Sequence, residues 1–173
     1  MNELIGQTLG PFQLIEQIGE GGMATVFKAY QPSLDRYVAV KVLPPLYARQ
    51  PGFSDRFERE AKAIANLHHP NILPVYEAGQ DKGFSYIGMR FVEEARTLKA
   101  VMGQPLTLTK IADLIGQIGI ALGYAHQKGV LHRDVKPANV LLDCDWALLS
   151  DFGLAKMTEE SVQLTGTGVG IGT

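Results

Sequence analysis

Cysteine is almost absent from this 173-residue chain, which carries only Cys144. A single thiol excludes an internal disulfide and the disulfide-stapled secreted scaffolds, so a reducing compartment is the expectation. No apolar run approaches the ~20 residues that a membrane-spanning helix needs, so any membrane anchor is expected to lie outside this chain. The opening stretch, MNELIGQTLG, has no basic residue and too short an apolar run for a secretory leader. Excess charge is lacking too: 16 basic against 18 acidic residues give a formal net charge of −2. That balance argues against nucleic acid or an anionic membrane as the main partner. No internal repeat is visible, and the only low-complexity stretch is the glycine-alternating TGTGVGIGT at 165–173. What is present is 46% hydrophobic and 20% charged residues, in a length that suits one domain with a real core.

The first half reads as strands with one helix. FQLIEQI (12–18) runs into a glycine cluster, followed by TVFKAY (25–30), a turn at QPSLD, and YVAVKVL (37–43) stopped by Pro44-Pro45. A helix is expected over 55–67, with Asp55 and Glu58 spaced as a capping box and Phe57, Ala61 and Ile64 on its apolar side. NILPVYEAG and FSYIGMRFV supply two further strands. The second half is dominated by a helix whose stripe is Ile111, Leu114, Ile115, Ile118, Leu122 and Ala125, ending at Lys128-Gly129. Short strands at 140–142 and 147–149 flank the turn DCDW. The sum is an α+β pattern.

Three groups of residues suggest chemistry. The cluster GEGGMATV lies between two strands and lacks the side chains that would keep backbone N–H groups from a phosphate; alone, it fits an ordinary turn better. In YVAVKV, side-chain alternation puts Val38, Val40 and Val42 on one face and Ala39 and Lys41 on the other. A lysine in an apolar strand either snorkels to solvent or meets a partner. Glu60, beside the apolar stripe of the 55–67 helix, is the candidate partner. In HRDVKPANVLLDCDWALLSDFG, an antiparallel hairpin would set Asn139 beside Ser150 and Asp151, and an amide oxygen with a carboxylate suits Mg²⁺. Asp134 then faces the same spot as a proton acceptor, and Lys136 supplies positive charge to a transferring phosphate.

These motifs together resemble the eukaryotic-type (Hanks-type) protein kinases, and most nearly the Ser/Thr kinases found in bacteria. The glycine loop, the Val-Ala-Val-Lys strand, His132-Arg133-Asp134 with Asn139, and Asp151-Phe152-Gly153 follow in the family's order over about residues 12–153. The resemblance implies a protein-kinase-like α+β fold. Its N-lobe would be complete and small, a five-stranded antiparallel sheet plus one helix, and its C-lobe partial and mainly helical. Residues 1–11 would form a lead-in, 12–92 the N-lobe and hinge, and 93–173 the partial C-lobe ending in the activation segment.

The same resemblance implies transfer of the ATP γ-phosphate to Ser/Thr hydroxyls of protein substrates, with Mg²⁺ as cofactor. Gly19, Gly21 and Gly22 would cover the phosphates. Lys41, paired with Glu60, would hold them, Asp134 would accept the hydroxyl proton, and Asn139 and Asp151 would hold the metal. Ile18, Val26, Ala39, Met89 and Leu141 would line the adenine pocket, with Arg90, Phe91 and Val92 as the interlobe hinge. Lys136, two residues after Asp134, resembles the Ser/Thr class. Arg133 implies control by phosphorylation of the following loop, where Thr165 and Thr167 are the candidates, and Thr173 resembles the threonine that approaches Asp134 and Lys136. Self-association for trans-autophosphorylation and a cytoplasmic location of the kinase portion go with this resemblance.

The pattern is broken in several places. Ala24 stands for the third loop glycine, and Arg90 stands where the family often has an acidic residue. Trp146 occupies a turn position usual for glycine, without a functional account. The chain stops before the Ala-Pro-Glu motif, which implies a cut through the activation segment and an uncovered apolar face on the 108–127 helix. Two other readings compete. One is an inactive nucleotide-binding module, and truncation rather than residue loss would be its cause. The other, a dinucleotide-binding oxidoreductase, is disfavoured because the glycine loop joins two strands rather than a strand and a helix.

Overall fold

A computed structural model describes residues 2–21, 24–49 and 51–152. Strands β1 (Thr8–Leu9), β2 (Phe12–Gly21), β3 (Ala24–Gln31) and β4 (Arg36–Leu43) open the chain. Helices α1 (Pro45–Ala48) and α2 (Phe53–Ala65) follow, then β5 (Val75–Asp81) and β6 (Phe84–Arg90). These six strands form one antiparallel sheet in the order β1-β2-β3-β4-β6-β5. Five of them are the expected N-lobe strands. The sixth, β1, draws the lead-in onto the sheet edge, where Leu4 and Leu9 are buried.

The alternation along β4 decides what each face of the sheet meets. Val38, Val40 and Val42 are fully buried in a cluster with Phe12, Phe27 and Tyr86. Ala39 and Leu43 face the other way, into a cluster with Phe53 and Phe57 of α2. Each of the valine, leucine and phenylalanine side chains so removed from water contributes roughly 1.5–3 kcal/mol. Tyr47, Phe53 and Phe57 stack in succession, with ring centroids 6.1 and 5.8 Å apart, which ties α1 to α2.

The start of α2 differs from expectation. The helix begins at Phe53 rather than Asp55, because Gly52 turns the chain with a φ of +68° and no side chain caps the end. Asp55 therefore sits inside the first turn, where a carboxylate favours the positive end of the helix dipole, and the capping box does not form.

The C-lobe portion holds β7 (Arg96–Thr97), α3 (Leu98–Val101), α4 (Leu108–Gln127), β8 (Val140–Asp143) and β9 (Trp146–Leu149). Thr107 caps α4 by accepting from the Lys110 N–H at 3.2 Å. At the other end Gly129 has a φ of +75°, and the Gly129 and Val130 N–H groups donate back to His126 and Ala125, closing a Schellman motif. Leu114, Ala121 and Ala125 of α4 are buried, whereas Leu108 and Ile115 are 84% and 64% exposed. Strands β7, β8 and β9 form a small second sheet.

Residues 71–73 do not start β5, as the sequence suggested. Leu149 donates to Asn71 and Leu73 donates to Leu149, at 2.8 and 2.9 Å, so these residues fasten the segment after α2 to β9. Asn71 Nδ2 adds bonds to Gln117 and to the Ala147 carbonyl, both at 2.9 Å. Trp146 finds its structural account here: its indole N–H donates to the Pro70 carbonyl at 2.9 Å.

Candidate active site

A cavity of about 820 Å³ opens between the six-stranded sheet and the β7–β9 sheet. Its upper wall comes from β2 to β4, where Ile18, Gly19, Gly21, Val26, Ala39 and Lys41 face inward. Met89, Phe91 and Val92 line the connecting side. Below lie Leu141 and four polar side chains, Asp134, Lys136, Asn139 and Asp151. Leu43, Leu73, Thr97 and Ala138 also line it and were missed from sequence. Leu43 could have been found, since it shares its strand face with Ala39 and Lys41; Leu73 gave no local signal. Gly22, Thr165, Thr167 and Thr173 lie outside the described residues.

The loop between α4 and β8 is organised by His132, which is 1% exposed. Its Nδ1 accepts from the Asp134 N–H at 3.3 Å, so its Nε2 must carry the proton it donates to the Ser150 carbonyl at 2.8 Å. The ring also packs on Phe152, with centroids 4.5 Å apart. One imidazole thus links the two segments that carry Asp134 and Asp151. Burial lowers its pKa, outweighing the backbone acceptor and the two nearby carboxylates.

Asn139 completes the arrangement. Its amide nitrogen donates to the Asp134 carbonyl and to Asp134 Oδ2, at 2.8 and 3.0 Å. Its own carbonyl accepts from the N–H and hydroxyl of Ser150, at 2.9 and 3.1 Å. The Lys136 ammonium lies 2.6 Å from Asp134 Oδ2. That bond, first, and the Asn139 amide hold the Asp134 carboxyl below the ordinary carboxylate range.

The expected pairing of Lys41 with Glu60 is not the one observed. Lys41 Nζ lies 2.7 Å from Asp151 Oδ1, and Glu60 lies 3.8 Å from Arg133 Nη1. Asp151 and Arg133 both adopt left-handed backbone, with φ of +64° and +66°. Such conformations cost about 1–3 kcal/mol each and persist where surrounding bonds over-determine them. The carboxylate of Asp151, a left-handed residue, meets Lys41 of β4. Glu60 and Arg133 stand outside the cavity lining.

Residues 12–171 match the family model described as "Protein kinase domain". The chain belongs to the protein kinase domain family. Among curated proteins it is similar to the serine/threonine-protein kinase PknJ of Mycobacterium tuberculosis, at 40% identity over 94% of this chain and 28% of PknJ. It is 38% identical to PknD of the same species, over 98% of this chain and 26% of that protein. A probable serine/threonine-protein kinase of Clostridium acetobutylicum is 39% identical over 94% of this chain and 25% of its own length. The chain therefore spans about a quarter of the length of these relatives.

Among solved structures, the M. tuberculosis PknI kinase domain superposes with a TM-score of 0.79 at 34% identity, covering 87% of this chain and 61% of that one. The fold is protein-kinase-like, an antiparallel-sheet N-lobe above part of a C-lobe. Kinases of this family use ATP and Mg²⁺. Among the described residues no helix is long and apolar enough to cross a membrane.

The donor set fits a magnesium ion. Mg²⁺ takes one or two protein oxygens plus waters and phosphate oxygens, not a cage of acids. Asp151 offers a carboxylate at the cavity wall. The Asn139 amide nitrogen is engaged by Asp134, which leaves its side-chain oxygen as the donor.

Proposed function

We propose that this chain is the nucleotide-binding and catalytic-loop portion of a protein serine/threonine kinase, transferring the ATP γ-phosphate to Ser/Thr hydroxyls of protein substrates. The observation that carries the reading is the convergence of Lys41, Asp134, Asn139 and Asp151 on one cavity. In this reading Ile18, Val26, Ala39, Met89 and Leu141 enclose the adenine, while Phe91 and Val92 offer backbone groups to its edge. Gly19, Gly21 and Gly22 approach the phosphates, and the Lys41 ammonium binds their oxygens. Asn139 and Asp151 would hold Mg²⁺, which when bound neutralises charge on the phosphate oxygens.

Asp134 Oδ2 is engaged by Lys136 and Asn139, so Oδ1 is the oxygen that orients the substrate hydroxyl and accepts its proton. Lys136 then places positive charge beside the transferring group. A phosphate on Thr165 or Thr167 would pair with Arg133, and Thr173 would approach Asp134 and Lys136. Phosphorylation between two copies is part of this reading, as is a cytoplasmic site of reaction, where ATP and reduced thiols both occur.

One observation favours a second reading, an ATP-binding module without turnover: Lys41 is paired with Asp151, the carboxylate assigned to the metal. Phosphotransfer from radiolabelled Mg-ATP to a Ser/Thr-containing protein separates the two. Transfer that disappears in Asp134→Asn supports the kinase. Binding of Mg-ATP without transfer supports the module, and transfer that survives Asp134→Asn overturns the assigned mechanism.

A further inference from the structure

We propose that Arg90 and Asp143 clamp the connection between the lobes, which makes Arg90 a positioning residue for the nucleotide pocket. Arg90 Nη2 lies 2.9 Å from Asp143 Oδ2. The partners belong to different lobes: Arg90 ends β6 and Asp143 ends β8. The main chain joins β6 to β7 through residues 91–95 alone, and Glu94 within that stretch has a φ of +54°. At the far end of the stretch, Arg96 pairs in the β7–β8 ladder with Leu142, the neighbour of Asp143. Both ends of the connection are therefore fastened to adjacent residues of one strand, one by the backbone ladder and one by an ion pair.

That strand matters to the cavity. It carries Leu141, begins immediately after Asn139, and pairs with β9, which leads into Asp151. The Arg90 N–H donates to the Pro74 carbonyl at 2.9 Å, so its main chain is held in the N-lobe while its side chain reaches the C-lobe. The clamp fixes Phe91 and Val92 relative to Leu141 across the pocket. An acidic residue at 90 could not make this bond to Asp143, so the two positions form a charge-matched pair. Both side chains keep solvent contact, at 42% and 36% exposure, so the effect is modest and salt-sensitive.

Three variants of the whole chain test this: Arg90→Glu, Asp143→Arg, and the double exchange. Hydrogen exchange of the amides of residues 91–95 needs no ligand. Each single reversal is expected to speed it, and the double exchange to restore it. Fluorescence titration with Mg-ATP is the second readout and rests on the kinase reading. There each single variant weakens affinity about twofold to fivefold at low salt, the difference shrinks at high salt, and the double exchange recovers it.

Unchanged exchange in both single variants, or a double variant no better than either, overturns the clamp. Faster exchange with unaltered affinity overturns its role in the pocket. A wild-type chain that binds no Mg-ATP overturns the kinase reading instead, while the exchange data still decide the clamp. Should Arg90→Glu fail to fold, Arg90→Gln removes the charge without reversing it and gives the same comparison.

Discussion

Lys41 Nζ and Asp151 Oδ1 meet at 2.7 Å across the cleft, joining the centre of β4 to the segment that follows β9. The ammonium is 15% exposed and the carboxylate 29%, so neither is as well solvated as a surface group. On the proposed kinase reading, this pair occupies the two groups assigned to a phosphate and a metal ion. Asp151→Asn should therefore abolish the gain in ATP affinity that Mg²⁺ provides. A charge-assisted bond contributes about 1.5–3 kcal/mol, which corresponds to a loss of about tenfold or more. Titration of ATP with and without Mg²⁺ checks this, and an Asp151→Asn chain that keeps the full Mg²⁺ effect would remove Asp151 from the metal site.

Lys136 is the main cause of the depressed pKa of Asp134. Replacing it by Ala should let that carboxyl rise toward the ordinary value. If Asp134 is the proton acceptor of the proposed kinase, it works only when ionised, and the acidic limb of kcat/KM against pH should move to higher pH in Lys136→Ala. A rate profile whose acidic limb stays in place in the variant would show that Asp134 does not govern it.

His132 makes a second pH dependence, of stability. Burial lowers its pKa from the ordinary 6.5. As the pH falls below about 6.5 the unfolded chain takes up the proton first, so stability declines until the folded pKa is reached. Above that range His132 is neutral in both states and contributes no slope. Protonation also removes the Nδ1 acceptor of the Asp134 N–H. Urea unfolding at a series of pH values should show this slope in the wild type, and His132→Gln should flatten it.

The parts legible in the sequence were those set by neighbours along the chain. Alternation in 37–43 gave the two faces of β4, and the Lys128-Gly129 stop gave the end of α4, because each depends on residues a few positions apart. The order of the kinase motifs likewise announced the fold. What escaped depends on distant contacts. Lys41 meets Asp151 rather than Glu60, a contact between distant segments that no pattern local to either residue announces. Residues 71–73 carry a strand-like composition, but β9 claims their hydrogen bonds. Arg90 and Asp143 are 53 positions apart, and nothing local to either points to the other.

Two glycines that look alike in sequence should respond oppositely to a methyl group. A Cβ on Gly88 in β6 would stand 2.5 Å from Phe12 Cζ, and Phe12 is fully buried with its ring edge-on to Tyr86 at 5.9 Å. The ring has no room to retreat, so Gly88→Ala should destabilise by about 1–3 kcal/mol, as overpacking does. A Cβ on Gly116, on the exposed face of α4, would meet nothing within 4 Å. There the helix gains propensity at no steric cost, and Gly116→Ala should stabilise by about 0.5–1 kcal/mol. Denaturant unfolding of both variants measures the contrast directly. Equal effects would mean that β6 and Phe12 repack freely, and that the N-lobe core is looser than its burial implies.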